Sequence, residues 1–146
     1  MKEELVTFET AKLAKEVGFD IPCGQFYDIL EEGCEPLGEP IDNIVLQQYR
    51  SFMLYEIVIT DYNNRYDNLG NKIISHTCAS APTQSLLQRW LREKHNIHIR
   101  IYRNEDGLDK YTFNFDNPYK RSLNWYDTYE KALEAGLLQA LKLIKK

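Results

Sequence analysis

Apolar residues in the second half of the chain first follow a helical period. After Thr83 they fall on one face over 84–94, which predicts an amphipathic helix. Thr83 suits the N-cap position, because its hydroxyl can accept a hydrogen bond from a free N–H of the first turn. Asn96 follows the helix and tolerates the left-handed conformation that commonly ends one.

The pattern then changes to alternation, which is typical of strands. Alternating isoleucines predict a strand over 97–103, and after an Asp-Gly turn a return strand is predicted over 110–115. Thr128 indicates the start of a last helix over 129–144. Gly136 lies on the apolar face of that helix. Since glycine costs about 1 kcal/mol relative to alanine inside a helix, it indicates that another element packs closely there.

The first half of the chain is less regular. A short helix is predicted over 8–17, and strands are predicted over 51–60 and 72–79, which would form a hairpin with a long tip. The stretch 20–43 is acidic and rich in glycine and proline, so we interpret it as a solvated surface loop, with an acidic docking surface as the alternative. Within it, 25–30 could form a brief strand.

These elements predict an α+β fold with one domain over 1–146. Its acidic, loop-rich part would be 1–50, and its core would be the hairpin-helix-hairpin-helix unit over 51–146. We expect two hairpins to form a mainly antiparallel sheet that packs against the two longer helices. The short helix 8–17 would pack peripherally.

Charge is distributed unevenly along the chain. Residues 1–56 contain four basic and twelve acidic residues, hence a charge of −8, whereas the remainder carries +4 and the whole chain −4. An acidic chain argues against a protein whose entire surface binds nucleic acid. Because no signal peptide or apolar run of membrane-spanning length is evident, we expect a cytoplasmic protein.

Four residues are weak candidates for a zinc site: His76, Cys78, His95 and His98. The pairs His76/Cys78 and His95/His98 could supply four ligands, but their spacing matches no zinc-finger pattern. Packed or surface side chains are the simpler interpretation. We therefore predict no metal and no cofactor.

The sequence assigns no catalytic residue. Cys23, Cys34 and Cys78 could each be activated by a histidine, but no motif marks any of them, and structural cysteines are the simpler interpretation. Carboxylates and amides alternate over 61–67 as in a calcium loop, yet Arg65 occupies a ligand position, so this segment is interpreted as a hairpin tip. We predict that the protein is not an enzyme.

A helix followed by a hairpin is also the arrangement of a recognition helix and a wing in nucleic-acid-binding proteins. Five basic residues and one acidic residue lie between positions 88 and 103. This surface is therefore a candidate nucleic-acid-binding site, as an alternative to a protein-binding function. Its side chains are of types that reach phosphates and base edges, and its tyrosine could stack on a base. Its residues would be Gln84, Gln88, Arg89, Arg92, Arg100, Tyr102 and Arg103. A solvated helix face beside a core-covering hairpin explains the same pattern.

The aromatic residues indicate another function, which is protein binding. The chain has ten tyrosines and two tryptophans, and amphipathic aromatic residues are enriched at interfaces. Tyr119, Trp125, Tyr126 and Tyr129 precede the last helix, where they could bind a partner or attach that helix to the hairpin.

Two segments, 81–99 (APTQSLLQRWLREKHNIHI) and 128–144 (TYEKALEAGLLQALKLI), resemble recurrent segments of small proteins of Bacteroidetes bacteriophages and prophages. The resemblance covers the chain from about residue 80 onward and implies a protein of a mobile element. It carries no assigned activity, cofactor or site residue. With it, the leading hypothesis is a non-enzymatic phage or prophage accessory protein that acts through a protein partner, not identified by the sequence, or through self-association.

Overall fold

A computed structural model of the chain describes residues 3–29, 44–48, 59–66, 69–73, 78–105, 109–116, 119–122 and 124–145. Within these ranges the protein has three helices and eight short strands in an α+β arrangement, as the sequence predicts. None of the described helices combines the length and apolar character needed to cross a bilayer.

The helices agree with the predicted ranges to within one residue. They are α1 (Phe8–Glu16), α2 (Gln84–His95) and α3 (Tyr129–Ile144). In each, the threonine just before the helix accepts a hydrogen bond from the backbone N–H three residues further on, which satisfies a donor that the helix itself leaves free. Asn96 ends α2 in the predicted left-handed conformation, with φ 53°.

All described sheets are antiparallel. The strands are β1 (Phe26–Ile29), β2 (Ile44–Gln47), β3 (Arg65–Tyr66), β4 (Lys72–Ile73), β5 (Cys78–Ser80), β6 (Ile99–Arg103), β7 (Tyr111–Asp116) and β8 (Tyr119–Arg121). They form one three-stranded sheet in the order β2-β1-β5, a two-stranded sheet β3-β4, and a second three-stranded sheet in the order β6-β7-β8.

The two predicted hairpins have different outcomes. The hairpin of 97–103 with 110–115 is confirmed as β6 and β7. For the other, positions 51–58 lie outside the described residues, and Thr60 forms a bridge with Cys23. The predicted strand 72–79 holds two short strands with separate partners, since β4 pairs with β3 and β5 pairs with β1. The brief strand expected over 25–30 is confirmed as β1.

The third helix packs directly on the β6-β7 hairpin, and Gly136 explains why it can. A β-carbon added at Gly136 would lie 3.0 Å from Cγ2 of Ile99 and 3.2 Å from Cγ of Phe113. Glycine therefore lets α3 approach the sheet more closely than any other residue would. The prediction that another element packs against this position is confirmed.

The first helix does not pack peripherally, and that prediction is wrong. Thr10, Ala11 and Ala14 have no exposed surface, and α1 packs against both α3 and β5. The side chains on this face are small, so α1 can come close to its neighbours and contributes directly to the main core. A hydrophobic pattern of small residues over so few turns gives a weak signal of such burial.

A single carboxylate joins the three helices. Oε1 of Glu134 in α3 accepts hydrogen bonds from the backbone N–H of Thr7 at 2.8 Å and from the hydroxyls of Thr7 and Thr10 at 2.8 and 2.6 Å. Oε2 accepts from Nε2 of Gln84 at 3.0 Å. A negative charge at the N-terminus of α1 also interacts favourably with the helix dipole. This network fixes the starts of α1 and α2 against α3.

Candidate functional site

An open groove of about 600 Å³ runs along one side of α2. Its other walls are the N-terminal segment around Glu3 and Leu5, the turn over 22–25, and Ile59. The residues of α2 that line the groove are Ser85, Leu86, Gln88, Arg89 and Arg92. The volume is within the usual range for ligand pockets.

Backbone pairing holds the N-terminal segment beside the start of α2. Leu5 forms an antiparallel bridge with Thr83, and the N–H of Val6 donates to the carbonyl of Pro82 at 3.0 Å. The N–H of Gln84 donates to the carbonyl of Glu4 at 2.9 Å. These hydrogen bonds fix this wall of the groove to the start of α2.

The groove combines exposed apolar surface with positive charge. The Ile59 side chain is 68% exposed, which is unusual for isoleucine and leaves apolar surface open to a ligand. Arg89 pairs with Glu93 at 3.0 Å on the exposed side of α2. Arg92 is exposed and has no ion-pair or hydrogen-bond partner among the described residues. Glu3 contributes the only carboxylate among the described residues that line the groove, and it accepts a hydrogen bond from Ser85 at 2.9 Å.

The thiol that borders the groove is poorly suited to nucleophilic chemistry. Cys23 exchanges two backbone hydrogen bonds with Thr60, at 2.9 and 3.0 Å, and is only 4% exposed. Burial, together with the negative charge of Asp61, raises the pKa of the Cys23 thiol to about 12. Since the thiolate is the reactive form, Cys23 stays protonated and unreactive near neutral pH. Cys78 is a buried core residue beside Phe26 and Tyr62, and Cys34 lies outside the described residues.

The described zinc candidates have separate environments. His95 contacts Trp90 with a ring-centroid distance of 4.7 Å, and Nε2 of His98 lies 3.1 Å from Oδ1 of Asn96. Cys78 lies in the core, and His76 lies outside the described residues. In the part of the chain that the structure describes, no group of three or more histidine, cysteine or acidic residues is arranged so that it could hold a metal ion.

Asp61, which begins the segment with alternating carboxylates and amides, has a structural role. Oδ1 of Asp61 accepts from the backbone N–H groups of Asn63 and Asn64, at 3.0 and 3.2 Å, which is an Asx turn. Asn63 is buried, donates to the carbonyl of Phe19 at 2.9 Å and accepts from the N–H of Ser80 at 2.9 Å. The amide of Asn63 thus ties the turn to the core. Asp67 lies outside the described residues.

The structure divides the seven residues of the predicted nucleic-acid-binding surface into three groups. Gln88, Arg89 and Arg92 line the groove. Gln84 does not belong to any exposed surface, because it is 5% exposed and donates to the carbonyl of Glu130 at 2.9 Å as well as to Glu134. The other three are exposed residues of β6, namely Arg100, Tyr102 and Arg103.

Ion pairs offset much of the positive charge counted in the sequence. Arg100 pairs with Asp116 at 2.8 Å and Arg103 pairs with Asp109 at 2.5 Å. With the Arg89–Glu93 pair, three of the five basic residues between positions 88 and 103 have a carboxylate partner. Such exposed pairs add little stability, but each reduces the positive potential that would attract a phosphate backbone.

The aromatic residues before α3 attach that helix to the sheet. Tyr126 exchanges two backbone hydrogen bonds with Tyr111, at 2.7 and 2.8 Å. Tyr129 packs edge-on against the ring of Tyr111. Tyr129 and Trp125 remain 45% and 44% exposed, so they combine this packing with open surface. The side chain of Tyr119 lies outside the described part of the structure.

The residues that turn the basic face of α2 into a groove could not be predicted from the sequence. Leu5, Gly24 and Ile59 come from three distant segments and carry no local motif. The exposure of Ile59 had no signal either, because it lies in a predicted strand where alternate side chains are expected to be buried.

Comparisons with known proteins add no assignment: no family model, curated protein or solved structure matches the chain. The resemblance of segments 81–99 and 128–144 to small phage and prophage proteins therefore stays a prediction. The groove beside α2 and the exposed strand β6 are the features of the structure that bear on function.

Proposed function

We propose that the chain is a non-enzymatic accessory protein of a bacteriophage or prophage, acting in the cytoplasm of a bacterial host cell by binding another protein. The groove beside α2 is the binding site. Its ligand is an acidic segment that carries an apolar side chain.

One observation carries this proposal: exposed apolar surface and unpaired positive charge lie in the same groove. Ile59 is 68% exposed, and Arg92, on the facing helix, has no partner among the described residues. An apolar side chain of the ligand would cover Ile59 and Leu86, and a carboxylate would approach Arg92. Binding sites of proteins commonly join a buried apolar anchor to charges at the rim in this way.

The charge distribution favours a protein ligand over a nucleic acid. A nucleic-acid site needs several cations that can each neutralise a phosphate. Here Arg89, Arg100 and Arg103 are paired with carboxylates of the same chain, and the whole chain carries a charge of −4. Gln84, which was predicted to contact bases, is buried. Nucleic acid remains the competing ligand in the experiment.

The chemistry of the groove supports binding rather than catalysis. Cys23 is the one cysteine among the described residues that line the groove, and a pKa of about 12 keeps its thiol protonated. Arginines and amides supply positive charge and hydrogen bonds, yet neither takes up a proton near neutral pH. We therefore propose no reaction at this site.

Fluorescence anisotropy with labelled probes tests the proposal. The main probe is a short peptide of alternating glutamate and glycine with one central leucine. Matched probes replace the leucine by glycine or the glutamates by glutamine, and a single-stranded DNA of similar length is the nucleic-acid probe. We expect the acidic leucine peptide to bind most tightly. Either matched change should weaken its binding.

Two variants assign the binding to the groove. Arg92→Glu places a like charge beside the ligand and should weaken peptide binding by roughly tenfold or more. Lys142→Glu makes the same charge change at an exposed position of α3 and should have little effect. Tighter binding of the DNA than of the peptide, or equal losses in both variants, would refute the proposed ligand and site.

A further inference from the structure

Strand β6 lies at the edge of its sheet, so one side of its backbone has no neighbouring strand in the described structure. The ladder with β7 shows which residues face that side. Asn104 donates to the carbonyl of Lys110 at 2.8 Å, and Asp116 donates to the carbonyl of His98 at 3.2 Å. Even-numbered residues of this strand therefore bond to β7. The backbone groups of Ile99, Ile101 and Arg103 point to the open edge.

Helix α2 covers only one end of this edge. Nε2 of Gln88 donates to the carbonyl of Ile99 at 3.1 Å and occupies that position. The outward N–H and C=O groups of Ile101 and Arg103 have no partner among the described residues. Between them, Tyr102 is 43% exposed. The open part of the edge is therefore a short strand with an exposed aromatic ring at its centre.

The usual protection of such an edge is weakened. Charged side chains normally keep edge strands from pairing with other chains. Both arginines of β6 have their charge offset within the chain, since Arg100 pairs with Asp116 and Arg103 with Asp109. A second strand could thus approach with less repulsion than the sequence of β6 indicates.

From this geometry we propose that the open edge of β6 pairs antiparallel with β6 of a second copy of the chain, centred on Tyr102. The two copies would be related by a twofold axis, as in most homodimers. Ile101 of each copy would exchange two backbone hydrogen bonds with Arg103 of the other. Four hydrogen bonds would form, and the sheet would continue from one copy into the other.

The register follows from the outward groups and the side chains. An antiparallel partner must place Ile101 or Arg103 opposite an outward residue of the second copy. One alternative register places Arg100 opposite Arg100 of the second copy, and another places Arg103 opposite Arg103 of the second copy. Both are unfavourable, because like charges directly opposite each other repel. A third needs the carbonyl of Ile99, where Gln88 already donates. Centring on Tyr102 avoids all three and places the two tyrosine rings side by side.

This inference concerns a different surface from the groove, so it can fail or succeed independently of the proposed function. Sedimentation velocity over a range of protein concentrations should show a monomer that converts to a dimer. A chain that stays monomeric at the highest concentration would overturn the proposal.

A matched pair of variants separates the backbone from the side chain. Arg103→Ala removes the guanidinium but keeps the N–H, whereas Arg103→Pro removes both. That N–H points away from β7, so proline breaks no hydrogen bond of the β6-β7 ladder. We expect Arg103→Ala to dimerise and Arg103→Pro to dissociate at least roughly tenfold more readily. Equal dimerisation of the two variants would overturn pairing at this edge.

Cysteine cross-linking tests the register in a chain that keeps its native β6 backbone. Tyr102 of the two copies would form a non-hydrogen-bonded pair, in which the β-carbons are close enough for a disulfide. In a Cys34→Ser background, Tyr102→Cys should form a covalent dimer under mild oxidation, and Arg100→Cys should do so much more slowly. Equally fast cross-linking, or none at position 102, would overturn the register centred on Tyr102.

Discussion

Replacing Glu134 by alanine should destabilise all three helices together. Its carboxylate accepts hydrogen bonds from Thr7 and Thr10 at the start of α1 and from Gln84 at the start of α2. Glu134 thus links α3 to the starts of both other helices. The loss should therefore lower the free energy of unfolding of the whole fold.

The magnitude depends on which donors water can reach after the change. Thr7 is exposed, so water can replace its bonds, but Thr10 is fully buried and Gln84 is 5% exposed. Leaving a buried donor without its acceptor costs about 1–3 kcal/mol. Thr10 can still contact Thr7, and Gln84 keeps its bond to the carbonyl of Glu130. We therefore expect Glu134→Ala to lower the free energy of unfolding by about 2–3 kcal/mol, which is near the lower end of the range for two buried donors.

Urea unfolding followed by far-UV circular dichroism measures this loss. Glu130→Ala is the matched control, because it removes an exposed carboxylate from the same helix and keeps the backbone carbonyl that Gln84 uses. It should change stability by no more than about 0.5 kcal/mol. A double-mutant cycle of Glu134→Ala with Thr10→Val should show clear non-additivity. A loss below about 0.5 kcal/mol for Glu134→Ala would refute the network's role.

Two further predictions concern the core. Gly136→Ala should lower the free energy of unfolding by about 1 kcal/mol, because crowding against Ile99 and Phe113 outweighs the better helix propensity of alanine. Urea unfolding measures this change, with Gln139→Ala at an exposed position of the same helix as the control. A Gly136→Ala variant that is more stable than the wild type would contradict the prediction. Burial raises the pKa of the Cys23 thiol from 9.0 to about 12, so the folded state favours the protonated thiol. The stabilisation of the fold that results is complete below about pH 9 and is lost as the pH rises toward 12. The stability of the wild type should therefore fall more steeply above pH 9 than that of Cys23→Ala, and parallel curves would contradict this.

The elements that could be predicted from the sequence are those whose signals are local. The caps Thr83 and Thr128 and the left-handed Asn96 each act within one turn, so α2 and α3 agree with prediction to one residue. The β6-β7 hairpin has its turn and its alternation in one short segment. Pairing between distant segments carries no such signal, and neither β2 nor β8 was predicted.

Burial was harder to predict wherever it depends on a contact between distant residues. Gln84 has the chemistry of a residue that reads bases, yet Glu134, fifty positions later, accepts its hydrogen bond inside the fold. The alanines of α1 look like those of a marginal surface helix. They are fully buried because α1 packs against both α3 and β5.

Surface charge shows the same dependence on distant residues, and it bears on the choice between a protein ligand and a nucleic acid. The sequence contains five basic residues and one acidic residue between positions 88 and 103, which favours nucleic acid. Asp109 and Asp116 lie outside that window, and the return strand brings them beside Arg103 and Arg100. Arg92 has no ion-pair partner among the described residues, and it lines the same groove as the exposed Ile59. Among the described residues, a groove with one unpaired arginine and an exposed isoleucine suits a single carboxylate of a protein ligand better than a chain of phosphates.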